Sequence, residues 1–437
     1  MSTDIRWFLA RLNANYWFYP AMFSVAAALL AFTLVWLDRH GFGDWILDNE
    51  WIIPARPQVA SDMLTVMAGS MIGVASTVFS ITIAAVAYAS GTYGPRLLTN
   101  FLEDRGNQLS LATFIGSFVY AIVVLRSVRA EDEVAPAGLE VAASLPGFTP
   151  QLSLLIAYLL MAVCVGVLVF FLNHVPSSIQ INVVIERIAR RLFKTIGETY
   201  PNLGDLREAR EPVPGAPVAA QATGYIRLID FAELEAIARA SHATLSLRVR
   251  TGDFVHPGLT LLEVTGGRPA EQEAIVNCFS LGATRTPEQD PHFLIDELVE
   301  IGLRALSPGI NDPFTAITAI HWLGAATADL GQRDLRKDVC GEEADVCPVI
   351  PCPDDFAHFL KRGFGSLRSA VATAPIAAEI MFQAIADACR VVGAPERREG
   401  LRYQADELMA QARLALAGPD LERVEAAYSD ALVAFDH

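Results

Sequence analysis

Between Arg285 and His321 the chain gathers Arg285, Asp290, Asp296, Glu297, Glu300, Asn311, Asp312 and His321 close to the ends of helical segments. Carboxylates and amides in that density suit a divalent cation, while an arginine beside a helix terminus suits an anion. Arg285, Asp290, Asn311 and Asp312 are therefore the candidate ligand-binding residues, although helix caps and surface salt bridges use the same side chains. A second group is Cys340, Cys347 and Cys352 with His358 beyond, spaced C-x6-C-x4-C-x5-H. Structural zinc sites pair their ligands two to four residues apart, so this spacing does not match, and free thiols are the plainer reading. Whether those three cysteines take a metal stays open. The third group is Ser76, Thr77 and Ser80, hydroxyls set in a long apolar run, where they are candidate pore-lining residues.

Motifs of catalysis are missing. There is no glycine loop ending in Gly-Lys-Ser/Thr, no paired-histidine zinc helix and no Gly-x-Ser-x-Gly elbow. The glycine turns around Gly252 and Gly258 are similar to those of biotinyl and lipoyl carriers, but no lysine stands there to be modified. No cofactor is expected, and an enzyme would have to rest on the acidic cluster near Asp290 and Asp312 alone.

The elements that must position these groups follow from composition. Of 437 residues, 52% are hydrophobic and 19% charged, against about 25% charged in an ordinary soluble chain. The apolar excess lies before Ser177, where 8 basic and 12 acidic residues stand, against 25 and 37 after that point. Both parts are net acidic, which argues against a nucleic-acid partner. Only Lys194, Lys337 and Lys361 are lysines, so the basic residues are nearly all arginine.

Four windows meet the roughly 20 apolar residues that a bilayer crossing needs: 18–37, 63–89, 109–128 and 152–172. None contains Asp, Glu or Lys, and Arg126 sits near an end. The first window is read as a retained helix, since a long lead with Trp7, Tyr16, Trp17 and Tyr19 precedes it and no small-residue cleavage site follows. Arg6, Arg11, Arg96, Arg105, Arg187, Arg190, Arg191 and Lys194 fall on one side of the spans. The other side holds Arg39, Arg56 and Arg129 among Asp44, Asp48, Glu50, Glu131, Asp132 and Glu133. The bias puts both termini in the cytoplasm, with reduced cysteines in the domain there.

The second span carries Gly69, Gly73, Ser76, Thr77, Ser80, Ala84 and Ala87 at three- and four-residue spacing. Gly69-xxx-Gly73 matches the small-residue helix-packing pattern. Two readings therefore stand together, close helix packing through Gly69 and Gly73, or a hydroxyl-lined path in a homo-oligomer. A proton- or sodium-coupled transporter is disfavoured, because no ionisable residue or broken helix lies at membrane depth. Past the span, Gly91, Gly94 and Pro95 stop the helix, and Arg96 is an interfacial anchor.

The expected organisation is a four-helix membrane domain over 1–176, a basic helix and linker over 177–222, a small α+β unit over 223–279 and a mainly helical cytoplasmic region over 280–437. Strands are expected at 223–230 and 244–250, with a helix at 231–242 between them. Thr286 is expected to cap a helix with Pro287 at its first position and Gln289 completing a capping box. Asp312 and Pro313 should open another.

Phe79-Ser-Ile-Thr-Ile-Ala-Ala-Val-Ala-Tyr-Ala-Ser-Gly-Thr-Tyr-Gly-Pro-Arg-Leu-Leu98, Phe114-Ile-Gly-Ser-Phe-Val-Tyr120, Thr251-Gly-Asp-Phe-Val255, Arg285-Thr286, Gln289-Asp290 and Ala305-Leu-Ser-Pro-Gly-Ile-Asn-Asp-Pro-Phe-Thr-Ala316 together resemble the bacterial membrane-protein family called domain of unknown function 2254. The resemblance covers most of the chain and implies an inner-membrane protein with a large cytoplasmic domain. It implies no activity. The expectation is thus an oligomeric, channel-like protein whose cytoplasmic domain senses a small ion or ligand, or else a non-conducting membrane scaffold.

Overall fold

A computed structural model describes residues 16–42, 55–94, 104–129, 147–202, 212–267, 272–337, 339–340 and 347–435. Arg6, Arg11 and Arg96, and the acidic residues 44, 48, 50 and 131–133, lie outside the described residues, as do 203–211 of the expected linker. The chain forms two compact units, Met1–Gln180 and Ile181–His437.

In the first unit four helices are long and apolar enough to cross a membrane: α1 (Phe18–Arg39), α2 (Pro57–Tyr93), α3 (Arg105–Leu125) and α4 (Gln151–Ser178). The hub is α3, which packs against the other three. Small residues make that possible. Gly116 lies against the Phe23 backbone, and Ala112, Ala121 and Ser117 are buried around it. The core joins Leu64, Met67, Met71 and Val78 of α2 to Phe114 and Tyr120 of α3 and Cys164 and Phe171 of α4.

Charged groups stand at the helix ends. Asp38, one residue before the end of α1, accepts from the backbone N–H of Leu152 and Ser153 at 2.9 and 3.0 Å and from the Ser153 hydroxyl at 2.6 Å. It therefore satisfies the donors that open α4. Asp104 caps α3 by accepting from the Asn107 N–H, and its carboxylate meets His174 Nε2 at 2.7 Å near the end of α4. Gly106 leaves the space that the His174 ring fills.

The second unit opens with α5 (Ile181–Thr199), whose Val184, Ile185, Ile188, Leu192 and Ile196 make one buried face at helical spacing. Then come β1 (Ala216–Ala219), β2 (Gly224–Ile229), α6 (Phe231–Ser241), β3 (Thr244–Leu247), β4 (Phe254–Val255), β5 (Thr260–Thr265), α7 (Gln272–Asn277) and β6 (Phe279–Gly282). One sheet has the order β1-β5-β3-β7, antiparallel except for the parallel β3/β7 pair, and a second has the antiparallel order β4-β2-β6. The strand β1 arises inside the stretch read as linker, and β7 (Val349–Ile350) follows the cysteine loop. Ile226, Leu245, Leu247, Leu262 and Ile275 belong to the core of this part.

The remainder is helical: α8 (Pro291–Ala305), α9 (Pro313–Gly331), α10 (Phe356–Leu360), a π-helical turn (Lys361–Gly365), α11 (Ser366–Val371), α12 (Pro375–Val391), α13 (Pro395–Ala415) and α14 (Pro419–Leu432). Five of these helices, α8, α9, α12, α13 and α14, begin with proline, the residue whose missing N–H costs nothing there. Gly324 of α9 faces Ala384 of α12, where two small residues allow a close crossing.

One expected helix start moves. Helix α8 opens at Pro291, with Asp290 as its cap through the Phe293 N–H, rather than at Thr286 and Pro287. Gln289 does not complete a capping box. It takes a left-handed backbone, φ 55°, and its side-chain amide brackets Ile229, accepting from that N–H at 3.0 Å and donating to that carbonyl at 3.2 Å. Residues 285–289 are thereby drawn against the end of β2.

Candidate functional site

The loop that precedes α8 brings Arg285 and Asp290 together. Arg285 Nε and Nη2 donate to Asp290 Oδ2 at 3.0 and 2.6 Å, and Nη1 donates to Asp296 Oδ2 at 2.6 Å. Arg362 reaches the same Asp296 from the π-helical turn, donating from Nε to Oδ1 and from Nη2 to Oδ2 at 2.7 Å. A π-turn inserts one residue into a helix and re-aims its neighbours, and such turns are frequent at functional positions. Gly252, at φ 92°, presses its backbone on this pair, since a Cβ there would strike Asp290 and approach Arg285. Motifs far apart in the chain, around Thr251, Arg285 and Asp290, thus form one cluster.

Beside it lies a second, deeper cluster. The carboxylate of Asp354 is wholly buried; it is hydrogen-bonded to the Tyr200 hydroxyl on Oδ2 and to His292 Nε2 at 3.2 Å, and it forms ion pairs with Lys337 Nζ at 3.0 Å and Arg250 Nε at 3.3 Å. Arg250 Nη2 also donates to the Pro353 carbonyl. The His292 ring stacks on Phe359 at 4.2 Å and meets His358 edge-on at 4.9 Å, and its buried Nδ1 has no hydrogen-bond partner among the described residues.

Titration follows this geometry. Burial opposes ionisation of Asp354, but the His292 hydrogen bond, Lys337 and Tyr200 outweigh it and hold its carboxyl well below the usual range. Tyr200 is pushed well up by burial and by the Asp354 charge. Asp296 is also held low, since Arg362 and Arg285 overcome its burial. Asp290 goes the other way, because burial outweighs Arg285. His358 is lowered by burial, and then by the neighbouring His292 ring and the Arg362 and Arg250 guanidiniums.

Not all candidates from the sequence meet. Asn311 and Asp312 lie beyond the far end of α8, whose 15 residues span about 22 Å. Asp312 caps α9, its Oδ1 accepting from the Thr315 N–H and its Oδ2 from the Thr315 hydroxyl at 2.6 Å. Asn311 takes a left-handed backbone, φ 51°, within the turn. Sequence reading missed Tyr200, Arg250, His292, Lys337, Asp354 and Arg362. A signal for one of them was present, since Tyr200 continues the apolar face of α5 four residues after Ile196.

The cysteines differ from expectation. Cys340 and Cys347 are joined in a disulfide with Cα atoms 5.6 Å apart, while Cys352 is free. Lys337 and Asp354 pair across the segment and β7 aligns with β3, which draws its two limbs together. Among the described residues no group of three His, Cys, Asp or Glu side chains converges in a way that could hold a metal ion.

In the membrane unit, Gly69, Gly73, Ser76, Thr77, Ser80, Ala84 and Ala87 are all exposed on α2, opposite the buried Leu64, Met67, Met71, Ala75, Val78 and Thr82. A Cβ added at Gly69 or Gly73 would meet nothing within 4 Å. Among the described residues these two glycines therefore pack against no other helix. Thr77 donates its hydroxyl to the Gly73 carbonyl at 3.0 Å and Ser80 to the Ser76 carbonyl at 2.9 Å.

Four apolar helices followed by a mixed sheet-and-helix unit define an α-helical membrane protein with a large folded domain after its last span. The chain belongs to the family described as predicted membrane protein, domain of unknown function 2254, whose model matches residues 13–387. It is similar to uncharacterized proteins of Mycobacterium bovis and Mycobacterium tuberculosis, 30% identical over 371 residues that cover 82% of this chain and 69% of those relatives. No solved structure matches.

Proposed function

We propose that the protein is an oligomeric, channel-like protein of the bacterial inner membrane, with both termini in the cytoplasm and a C-terminal unit that senses a small ion or ligand. The observation that carries this reading is the direction of the small, hydroxyl-bearing face of α2, which points away from the other described helices. A face of Gly, Ser, Thr and Ala gains little from lipid but lets a second backbone approach closely or leaves room for water. The Arg285–Asp290 cluster at the head of α8 is the ligand-sensing candidate of this reading, and Asn311 with Asp312 would act separately at the other end.

A non-conducting scaffold is the second reading, and one observation favours it. Thr77 and Ser80 already donate to carbonyls of their own helix, so neither hydroxyl needs pore water. Ion flux into liposomes separates the two. Replacing Ser76, Thr77 and Ser80 with leucine together is expected to abolish flux while leaving assembly intact. Unchanged flux would remove this face as the path.

A further inference from the structure

Two limbs of chain, one ending at Cys340 and the other starting at Cys347, are cross-linked in three places. The Asp354 N–H donates to the Leu335 carbonyl at 3.4 Å, Lys337 Nζ pairs with the Asp354 carboxylate at 3.0 Å, and Cys340 is bonded to Cys347. Only the last of these links is covalent. Lys337 stands three residues before Cys340, so the bond holds the lysine within reach of its carboxylate.

The second limb carries β7, a strand of two residues at the edge of its sheet. The Pro348 carbonyl accepts from the Leu245 N–H at 2.8 Å, and Val349 and Ile350 lie beside Leu245 and Ser246 in parallel register. So short a parallel pairing holds weakly by itself. Cys340 and Val349 belong to one buried core, with Val339 and Cys347 packed against it, and the disulfide ties the two limbs together there.

The cytoplasmic placement proposed above puts this bond where glutathione and thioredoxin keep thiols reduced. Disulfides that form in that compartment are usually transient, and serve in catalysis or redox sensing. No catalytic motif accompanies this one.

We propose that Cys340 and Cys347 are a reversible redox pair, whose reduction loosens β7 from the sheet edge and releases Lys337 from Asp354. The proposal rests on the cytoplasmic placement of the unit. The reductant is a dithiol. Its thiolate attacks the Cys347 sulfur, which is partly exposed where Cys340 is buried, and the S–S bond breaks with Cys340 leaving as a thiolate that takes up a proton. The second thiol of the reductant then attacks the mixed disulfide, Cys347 leaves as a thiol, and the reductant departs as a disulfide. Two electrons and two protons have passed to the protein. A disulfide oxidant reverses the exchange.

The lysines supply the readout, because the chain has only three. Lys194 and Lys361 are exposed, whereas the Lys337 side chain is 11% exposed. The full chain in nanodiscs is equilibrated in glutathione buffers from fully oxidised to fully reduced, labelled with an amine-reactive acetyl ester, alkylated and mapped by mass spectrometry. The expected result is that Cys340 and Cys347 pass from bonded to free across the series. Acetylation of Lys337 relative to Lys194 and Lys361 rises severalfold in step with them, and falls again on reoxidation. Cys340→Ser with Cys347→Ser should show the high Lys337 labelling in every buffer. A pair bonded at all ratios, a pair free at all ratios, or Lys337 labelling that ignores the bond would each overturn the proposal. Loss of the helical circular-dichroism signal on reduction would also overturn it, since the bond would then be a structural staple. The placement is checked separately with Gln332→Cys, exposed just after α9. Its labelling by an impermeant maleimide in intact spheroplasts would put the unit outside and overturn the proposal through that placement alone.

Discussion

Replacing Asp354 with asparagine is expected to destabilise the C-terminal unit by about 3–5 kcal/mol, the cost of breaking a buried ion pair from one side. The side chain keeps its volume, so packing is not the cause. Lys337 is left with no opposing charge at 3.0 Å, Arg250 loses its own at 3.3 Å, and His292 loses the carboxylate at 3.2 Å, all around a side chain that is itself wholly buried. For a unit of this size the loss lowers Tm by about 10 °C or more, which thermal unfolding of the purified protein would record. Its pH dependence carries a defined sign. The folded carboxyl of Asp354 lies below its unfolded value of about 4, so its contribution is complete above that value and disappears as pH falls through the folded one. Acid sensitivity in that window should be reduced in Asp354→Asn. An unfolding curve unchanged at neutral pH would mean that the four partners do not depend on this charge.

Changing Gly73 to isoleucine is expected to convert the assembled protein into separate subunits. The position is open on α2, with no atom within 4 Å of an added Cβ, so the larger side chain fits in the isolated chain. Folding should therefore be preserved. The cost falls on close approach of a second copy, because association of helices in lipid depends on small residues that let backbones meet. Size measurement in detergent and in nanodiscs checks this. Unaltered assembly would show that subunits do not meet through this face.

Much of the architecture was legible because it is written in local pattern. Charge-free runs marked the four membrane helices, the periodic Val184, Ile188 and Leu192 marked α5, and Asp312-Pro313 marked the start of α9. The start of α8 was not legible, because Thr286-Pro287 and Asp290-Pro291 are both sound opening signals. The choice between them depends on Gln289 docking on Ile229, 60 residues earlier. The Arg285–Asp290 pair could be read for the opposite reason, since only five residues separate its members. The Asp354 cluster could not. Tyr200 lies 154 residues away from Asp354 and His292 62, so nothing in their local spacing indicates that they meet. The direction of the α2 face was equally hidden. Periodicity shows that the small residues share a side, but whether that side meets its own chain depends on where α3 and α4 pack.

Imaging of single particles of the intact protein in nanodiscs tests the central claim most directly, by showing how many copies assemble and where α2 lies. The account predicts a closed ring in which Ser76, Thr77 and Ser80 border the central axis and Gly69 and Gly73 lie at or beside a subunit contact. A monomer with that face turned to lipid would contradict it.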